Sequence, residues 1–595
     1  MSETNDTPTP PSSGLSRRRF LQAGAAAAGS LYLGANLASG ATSSSGSGSS
    51  ASGSSANPAD MNVIIFMTDQ ERYIQHFPPN WSQQNLPGLT ALQQNGLTFT
   101  HATTNACMCS PARSTFFSGR FPAQTGVKYT LEENMYGANY PQVDLPLPDT
   151  LPNIAQVMAS AGYYTVYKGK WHCSKYPSAN SAVAPGSDPA TPVQPNGEPW
   201  PTYPTGQPID MLEPYGWYRW NPMDAGANQS IPQMGAGYAG NDDRYMASVG
   251  NIAYGTEGVL QFLQAWPSIR QTLPANQQKF CLIVSLVNPH DVLGYPRNYA
   301  AAGFSNQDLA GSIGLPATVD ENLSTKPRAQ EIFLKLFQGS GVIKTRQQKL
   351  RYLNFYGNLM KSSDAHLLDL LAALKAVSLE AGGPSLWQQS LVIRTADHGE
   401  MGLAHGGLRQ KNFNMYDEAI RVPLVYSNPS MFPKPRTSNA LVSHVDMVPT
   451  LASLVGAPAV PTSGIDYSGI IMGRTKAVQD YVVFTYDDFQ SGQASPPYVP
   501  APQHIVGIRE ANWKIARYYA VAPDVAAPEY EMYDLANDPL ETTNLADRGY
   551  QRTPAEQRQF VRLVKKLDDV VATRLQPLPS TIEPPMPAPA WRGGA

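Results

Sequence analysis

The sequence predicts an α/β fold: a large doubly wound sheet, mixed or parallel, flanked by helices, with a smaller carboxyl-terminal subdomain on an antiparallel sheet. Three observations predict it. Short apolar runs ending abruptly in polar residues recur far apart along the chain; helical patterns lie between them; and after about residue 475 strand-like pieces precede one helix.

The apolar runs come first. Asn62 to Met67 is β-branched and closes in Thr68-Asp69-Gln70, as a buried parallel strand does when it delivers polar side chains at its carboxyl end. Phe280 to Val287 closes in Asn288-Pro289-His290, and Leu391 to Thr395 leads to Asp397-His398. Three separated strands thus aim Asp, His and Asp-His at one sheet edge, where open α/β folds bind ligands. Between them, Leu151, Ile154, Val157, Met158 and Ala161 repeat at helical spacing behind a Thr150 cap and stop at Gly162; Leu353 to Leu374 is a longer helix of the same kind. Residues 176 to 245 shift to Pro, Gly and aromatics, including Trp200, Tyr203, Tyr215, Trp217, Tyr218 and Trp220. They read as long loops over a cleft, or as rings that pack those loops onto the core. In the last part Val482 to Phe484 and Trp513 to Tyr518 are strand-like, and 554 to 574 is helical. The division is therefore 59–474 for the catalytic α/β domain and 475–595 for the smaller subdomain.

Residues 1–40 read as an export signal. Ser16-Arg17-Arg18-Arg19-Phe20-Leu21 is a twin-arginine pattern, followed by an Ala- and Gly-rich apolar stretch and small residues at Ala38, Ser39 and Gly40. Residues 41–58 are almost all Ser, Gly and Ala and read as a flexible linker. No later stretch is apolar for the roughly 20 residues of a membrane span, so the expected product is a soluble periplasmic or secreted protein that meets the twin-arginine machinery. With 43 Lys and Arg against 46 Asp and Glu, net −3, no long-range field gathers nucleic acid or anionic lipid. Any anion must be gripped locally. Four cysteines, at 107, 109, 173 and 281, are too few and too irregular for a disulfide framework or zinc ribbon.

Cys109-Ser110-Pro111-Ala112-Arg113-Ser114-Thr115-Phe116-Phe117-Ser118-Gly119-Arg120 is the most informative stretch. Pro111 suits a first helical turn and Gly119 its stop, so Cys109 sits just ahead of a helix amino terminus, whose N–H groups favour an anion. A buried structural thiol is the other reading of such a cysteine.

The stretch resembles the signature of the formylglycine-dependent sulfatases of the alkaline phosphatase superfamily, of arylsulfatase type: Cys-x-Pro-x-Arg followed by Ser/Thr-Gly-Arg. Gly162-Tyr163-Tyr164-Thr165 leading to Gly169-Lys170-Trp171-His172 is similar to the second family signature. Tyr533-Asp534-Leu535 with Asn537-Asp538-Pro539 and Glu541 to Leu545 is similar to the carboxyl-terminal one. The resemblance implies hydrolysis of sulfate esters. It makes Cys109, not Cys107, the residue that a formylglycine-generating enzyme converts to the aldehyde. It also implies a metal held by Asp69, Gln70, residue 109, Asp397 and His398, and a catalytic set of Cys109, Arg113, Lys170, His172, His290 and Lys411. Hard oxygen ligands favour Ca²⁺, with Mg²⁺ open. His398 stands where many arylsulfatases carry Asn and brings in Mn²⁺.

In the implied mechanism one hydroxyl of the hydrated aldehyde attacks sulfur and forms a sulfated hemiacetal. His172, as base, then opens that intermediate to release sulfate. His405 reads either as support behind the site or as part of its wall. Two rivals remain: a phosphonate monoester or phosphodiester hydrolase of the same superfamily, and a non-catalytic binder of sulfated ligands if Cys109 stays a thiol. The alcohol half of the substrate, a small molecule or a glycan, is not encoded in these motifs.

Overall fold

The protein is described from a computed structural model over residues 57–131, 145–174, 212–220, 242–247, 257–297, 299, 308–337, 341–491 and 497–576. The twin-arginine pattern, almost all of the linker, and Trp200 and Tyr203 lie outside the described residues.

Seven strands form the main sheet: β1 (Asn62–Asp69), β2 (Gly96–Thr103), β3 (Tyr163–Gly169), β4 (Lys279–Pro289), β5 (Ser390–Ala396), β6 (Leu424–Ser427) and β7 (Arg436–Ser443), in the order β3-β4-β1-β5-β6-β2-β7. β3, β4, β1 and β5 run parallel side by side, and β2 pairs parallel with β7. β6 is antiparallel to both its neighbours, so the sheet is mixed. Every residue of β1, β3 and β5 is buried. That is why these strands read as continuous apolar runs rather than as alternations.

Side chains still alternate between the two faces. Val63, Ile65 and Met67 pack with helices α1 (Cys109–Ser118), α2 (Ile154–Ser160) and, much later in the chain, Met447–Val455. Ile64 and Phe66 pack on the opposite face with α3 (Val259–Thr272), α4 (Arg328–Leu336) lying beyond it, and α5 (Arg346–Ala376), whose Tyr352, Leu359 and Leu367 join that second core. Helices on both faces make the sheet doubly wound, as expected.

A second sheet is antiparallel, with β8 (Tyr481–Tyr486), β9 (His504–Glu510), β10 (Trp513–Tyr519) and β11 (Glu529–Asp534) in the order β11-β10-β9-β8. One face packs on Leu563, Leu567 and Val570 of the helix Pro554–Thr573. The other packs on Phe333, Phe413 and Met415.

Two local expectations change. Thr150 does not cap α2: Asn153 does, accepting from Ala155 N at 2.7 Å while Gln156 reaches back to Asn153 N at 3.1 Å. Pro152 keeps the preceding residue extended, so the helix starts after it. The described aromatic residues of the loop region line no cleft. Tyr215, Trp217 and Trp220 are buried in the core beside Trp171, and Tyr218 stacks on Tyr164 at 5.9 Å and 5°. Among the described residues no helix is long and apolar enough to cross a membrane.

Candidate active site

The carboxyl ends of β1, β3, β4 and β5 lie on one edge, and each delivers a polar group there. Asp69 ends β1, Lys170 follows β3, His290 follows β4, and Asp397 and His398 follow β5. Gly169 makes the β3 exit possible. Its φ is +100°, and a Cβ there would lie 1.9 Å from the Ser285 carbonyl oxygen. Helix α1 comes in from β2 and adds Cys109 at its first turn and Arg113 one turn on. Gly119, at φ +65°, closes the helix where Pro111 and Gly119 predicted.

Asp69, Cys109, Asp397 and His398 each present a ligand atom within 4.8 Å of the others, all buried. His398 Nε2 is 3.2 Å from Cys109 Sγ, 3.8 Å from Asp69 Oδ1 and 3.7 Å from Asp397 Oδ1. Its Nδ1 lies 3.1 Å from the Gly399 carbonyl oxygen. A carbonyl only accepts, so the proton sits on Nδ1 and the Nε2 lone pair faces the cluster, as ligation requires. Gln70 is oriented the same way. Its Nε2 donates to Glu400 Oε2 at 2.6 Å, which turns Oε1 inward to accept from Lys411 Nζ at 2.7 Å. Two carboxylates, an imidazole and an amide oxygen form a donor set that fits a divalent cation.

Arg113 holds the two acids together. Nε donates to Asp397 Oδ2 at 2.9 Å and Nη2 to Asp69 Oδ2 at 3.0 Å, while Nη1 bonds Ser285 Oγ and the Lys170 carbonyl. Lys170 Nζ is 2.6 Å from Asp69 Oδ2, an ion pair in which the ammonium finds no partner at hydrogen-bonding angles. His172 Nε2 donates to the Leu131 carbonyl at 2.7 Å, so the neutral ring keeps its basic lone pair on Nδ1. Leu131 N in turn donates to Ser110 Oγ at 3.0 Å, next to Cys109.

A family model described as Sulfatase matches residues 61–457, and one described as N-sulphoglucosamine sulphohydrolase, C-terminal, matches 405–570. The chain belongs to the sulfatase family. This sulfatase is 25% identical to the choline-sulfatase of Rhizobium meliloti, over 83% of this chain and 84% of that one. It is 24% identical to human arylsulfatase A, over 83% and 85%. Its fold is shared by the phosphonate monoester hydrolase of Agrobacterium radiobacter at TM-score 0.56 and 18% identity, covering 86% of this chain and 96% of that one. As a family member it is a sulfuric ester hydrolase, with its sulfate-ester chemistry seated on the edge just described.

Electrostatics in this sulfatase follow from burial and cation placement. Burial pushes Asp69 up, but Lys170, His290, Arg113 and His398 together hold it well below the ordinary carboxylate range. Burial and the Asp69 charge raise Asp397. Burial and Asp69 also oppose ionisation of Cys109, yet Lys170, Lys411 and His398 outweigh them and bring the thiol well below its usual value. His290 is lowered by burial and by Lys170, but Asp69, Asp291 and Cys109 raise it overall.

His405 stands apart from this cluster. Its Nδ1 is 2.7 Å from Glu321 Oε2, its Nε2 is 3.7 Å from Glu418 Oε2, and its ring stacks on Tyr416 at 3.5 Å and 7°. Burial lowers it, but the two carboxylates prevail and push it up to about 9. Glu400 went unread in the sequence. Besides Gln70 it takes Tyr352 Oη at 2.6 Å, Gln410 N at 3.0 Å and Gly402 N at 3.1 Å, and so fixes the loop leading to Lys411. The signal was an acid two residues beyond the Asp397-His398 pair.

Proposed function

We propose that this sulfatase hydrolyses sulfate esters with a formylglycine formed from Cys109, beside one divalent cation held by Asp69, Gln70, residue 109, Asp397 and His398. The reading is carried by the convergence of four ligand atoms within 4.8 Å at the start of α1. Ca²⁺ suits the carboxylate and amide oxygens, and the His398 imidazole leaves Mn²⁺ and Mg²⁺ as alternatives. A cation there supplies Lewis acidity toward the nucleophilic hydroxyl and the sulfate oxygens. When formed, the hydrated aldehyde supplies two hydroxyls on one carbon, one to displace the alcohol from sulfur and one whose deprotonation releases sulfate.

The chain's own residues do the rest. Arg113 fixes the spacing of Asp69 and Asp397. The Lys170 ammonium, buried and short of hydrogen-bond acceptors, binds a sulfate oxygen. Lys411 and His290 stabilise charge on the departing oxygen, where a fixed cation lowers the barrier more than it tightens binding. His172, with Nε2–H tied to Leu131, takes the proton at Nδ1.

The same reading keeps the division at residue 474 and export by residues 1–40. Replacing Arg17 and Arg18 by Lys should then retain the protein in the cytoplasm. Mass spectrometry of the peptide containing residue 109, with turnover on matched aryl sulfate, phosphate and phosphonate esters, tests the chemistry. Aldehyde at 109 and preference for the sulfate are expected. An intact thiol in a protein that binds sulfated ligands without turnover makes it a binder, and a wide margin for the phosphonate makes it a phosphonate monoester hydrolase.

A further inference from the structure

The most basic part of the chain plays no role in the chemistry above. Residues 326–351 carry Lys326, Arg328, Lys335, Lys344, Arg346, Lys349 and Arg351 against the single acid Glu331, in a protein whose net charge is −3. Part of this stretch walls a cavity of about 330 Å³, within the usual size of ligand sites, about 300–1,000 Å³. Lys344, Lys349 and Arg409 line it, and no carboxylate does. Lys344 is exposed, and Lys349 is held 3.1 Å from Asp320, whose side chain is 84% exposed. Arg409 is only 8% exposed and has no carboxylate within ion-pair distance among the described residues; its Nη1 donates weakly to the Gly341 carbonyl at 3.4 Å.

The floor is aromatic. Phe333 and Phe337 stack at 5.0 Å and 14°, and the Arg409 guanidinium lies 5.9 Å above the Phe337 ring. The 31-residue helix α5 begins at the same place, behind its Thr345 cap, and its dipole adds positive potential there. Cations around an aromatic floor suit a sugar ring, which has an apolar face, when that ring bears an anionic substituent.

The cavity also adjoins the reacting centre. Arg409 precedes Lys411 by two residues, which puts their Cα atoms at most about 7 Å apart. On the other side the turn that begins at His290 leans on the same wall. Tyr295 Oη donates to the Gln348 carbonyl at 3.1 Å, and a Cβ on Gly341 would meet Pro296 Cδ at 2.9 Å. Two segments that carry active-site groups therefore frame it.

We infer that this cavity is a second subsite, which binds an anionic sugar unit joined to the one that carries the scissile sulfate, so that the substrate is a polyanionic glycan. The inference rests on the sulfate ester reading above. The bound anion is a sulfate or a uronate carboxylate.

The test uses the full mature chain and four substrates: an aryl sulfate, and sulfated disaccharides whose second unit bears sulfate, carboxylate or no charge. Wild type should favour the charged disaccharides by about tenfold in kcat/KM, the scale of one or two partly solvated charge pairs. In the Lys344→Gln/Lys349→Gln double variant that preference should vanish through KM, with aryl sulfate turnover unchanged within about twofold. The charged disaccharide that loses more identifies the anion. Equal kcat/KM for charged and neutral disaccharides in wild type overturns the subsite, as does an equal loss on aryl sulfate in the variant. Calorimetric binding of the same disaccharides to the Cys109→Ala variant separates the two readings. If no ester turns over but binding still depends on Lys344 and Lys349, the reaction reading falls and the subsite stands. If esters turn over without any charge preference in rate or binding, the subsite falls and the reaction reading stands.

Discussion

Two buried charge clusters sit in this protein, and only one looks reactive. Around Asp417 and Glu541, charges are matched. Arg509 grips Asp417 with two bonds of 3.1 and 3.2 Å, and Lys514 Nζ lies 2.7 Å from Asp417 and 2.6 Å from Glu541. Arg421 flanks Asp417 at 3.8 Å. This cluster ties β9 and β10 of the small sheet to the segment before β6. At the main sheet edge the two acids Asp69 and Asp397 face Arg113, Lys170 and Lys411, with His290 and His398 beside them. There the cations outnumber the acids, one ammonium lacks aligned acceptors, and a thiol is driven toward its anion. Burial of charge is thus no marker of chemistry by itself. An imbalance that an incoming anion would complete is one.

The contrast can be broken in several ways. Cys109→Ala should cut turnover by at least about 10⁴-fold, the scale of losing a nucleophile, and leave the melting temperature within about 3 °C. Steady-state rates and a thermal scan check both. Asp417→Asn should do the reverse. Leaving Arg509 and Lys514 uncompensated costs about 3–5 kcal/mol in urea unfolding, with kcat/KM of the folded fraction within about threefold of wild type. A large loss of activity without loss of stability would put the Asp417 cluster in the reaction.

His405 offers a pH test of the matched kind. Its pKa is raised from 6.5 to about 9. The protonated ring therefore stabilises the fold fully below pH 6.5, and the contribution is lost as pH rises through 9, about 3 kcal/mol in all. The stability gap between wild type and His405→Gln should narrow by that amount over this window in denaturant titrations. The smallest expected effect comes from the metal. A divalent cation at a hundred times its Kd should stabilise chelator-treated protein by about 2.7 kcal/mol. Calorimetry should show that gain abolished in Asp397→Asn and kept in Asp417→Asn.

What could be read in advance divides along physical lines. The β1, β4 and β5 runs were visible because both faces of those strands are buried, so apolar residues follow one another without a break. Their polar closures placed Asp69, His290, Asp397 and His398 on one edge. Pro111 and Gly119 marked α1 because each suits one end of a helix. Local chemistry misled at α2, where Asn153 with Gln156 outcompetes Thr150. Glu400 and the Asp417 cluster were invisible, since their meaning lies in partners 330 and 92 residues away. The basic stretch at 326–351 was hidden by a whole-chain sum that nearly cancels.

One feature of α1 sets a schedule. Cys109 is 2% exposed, wedged under strands contributed by both early and late parts of the chain. A second protein cannot reach that sulfur once β5 has docked. Whatever converts it must therefore work on the nascent polypeptide, while the last third is still being made or has yet to collapse. Folding, on this account, is the step that locks the door on maturation.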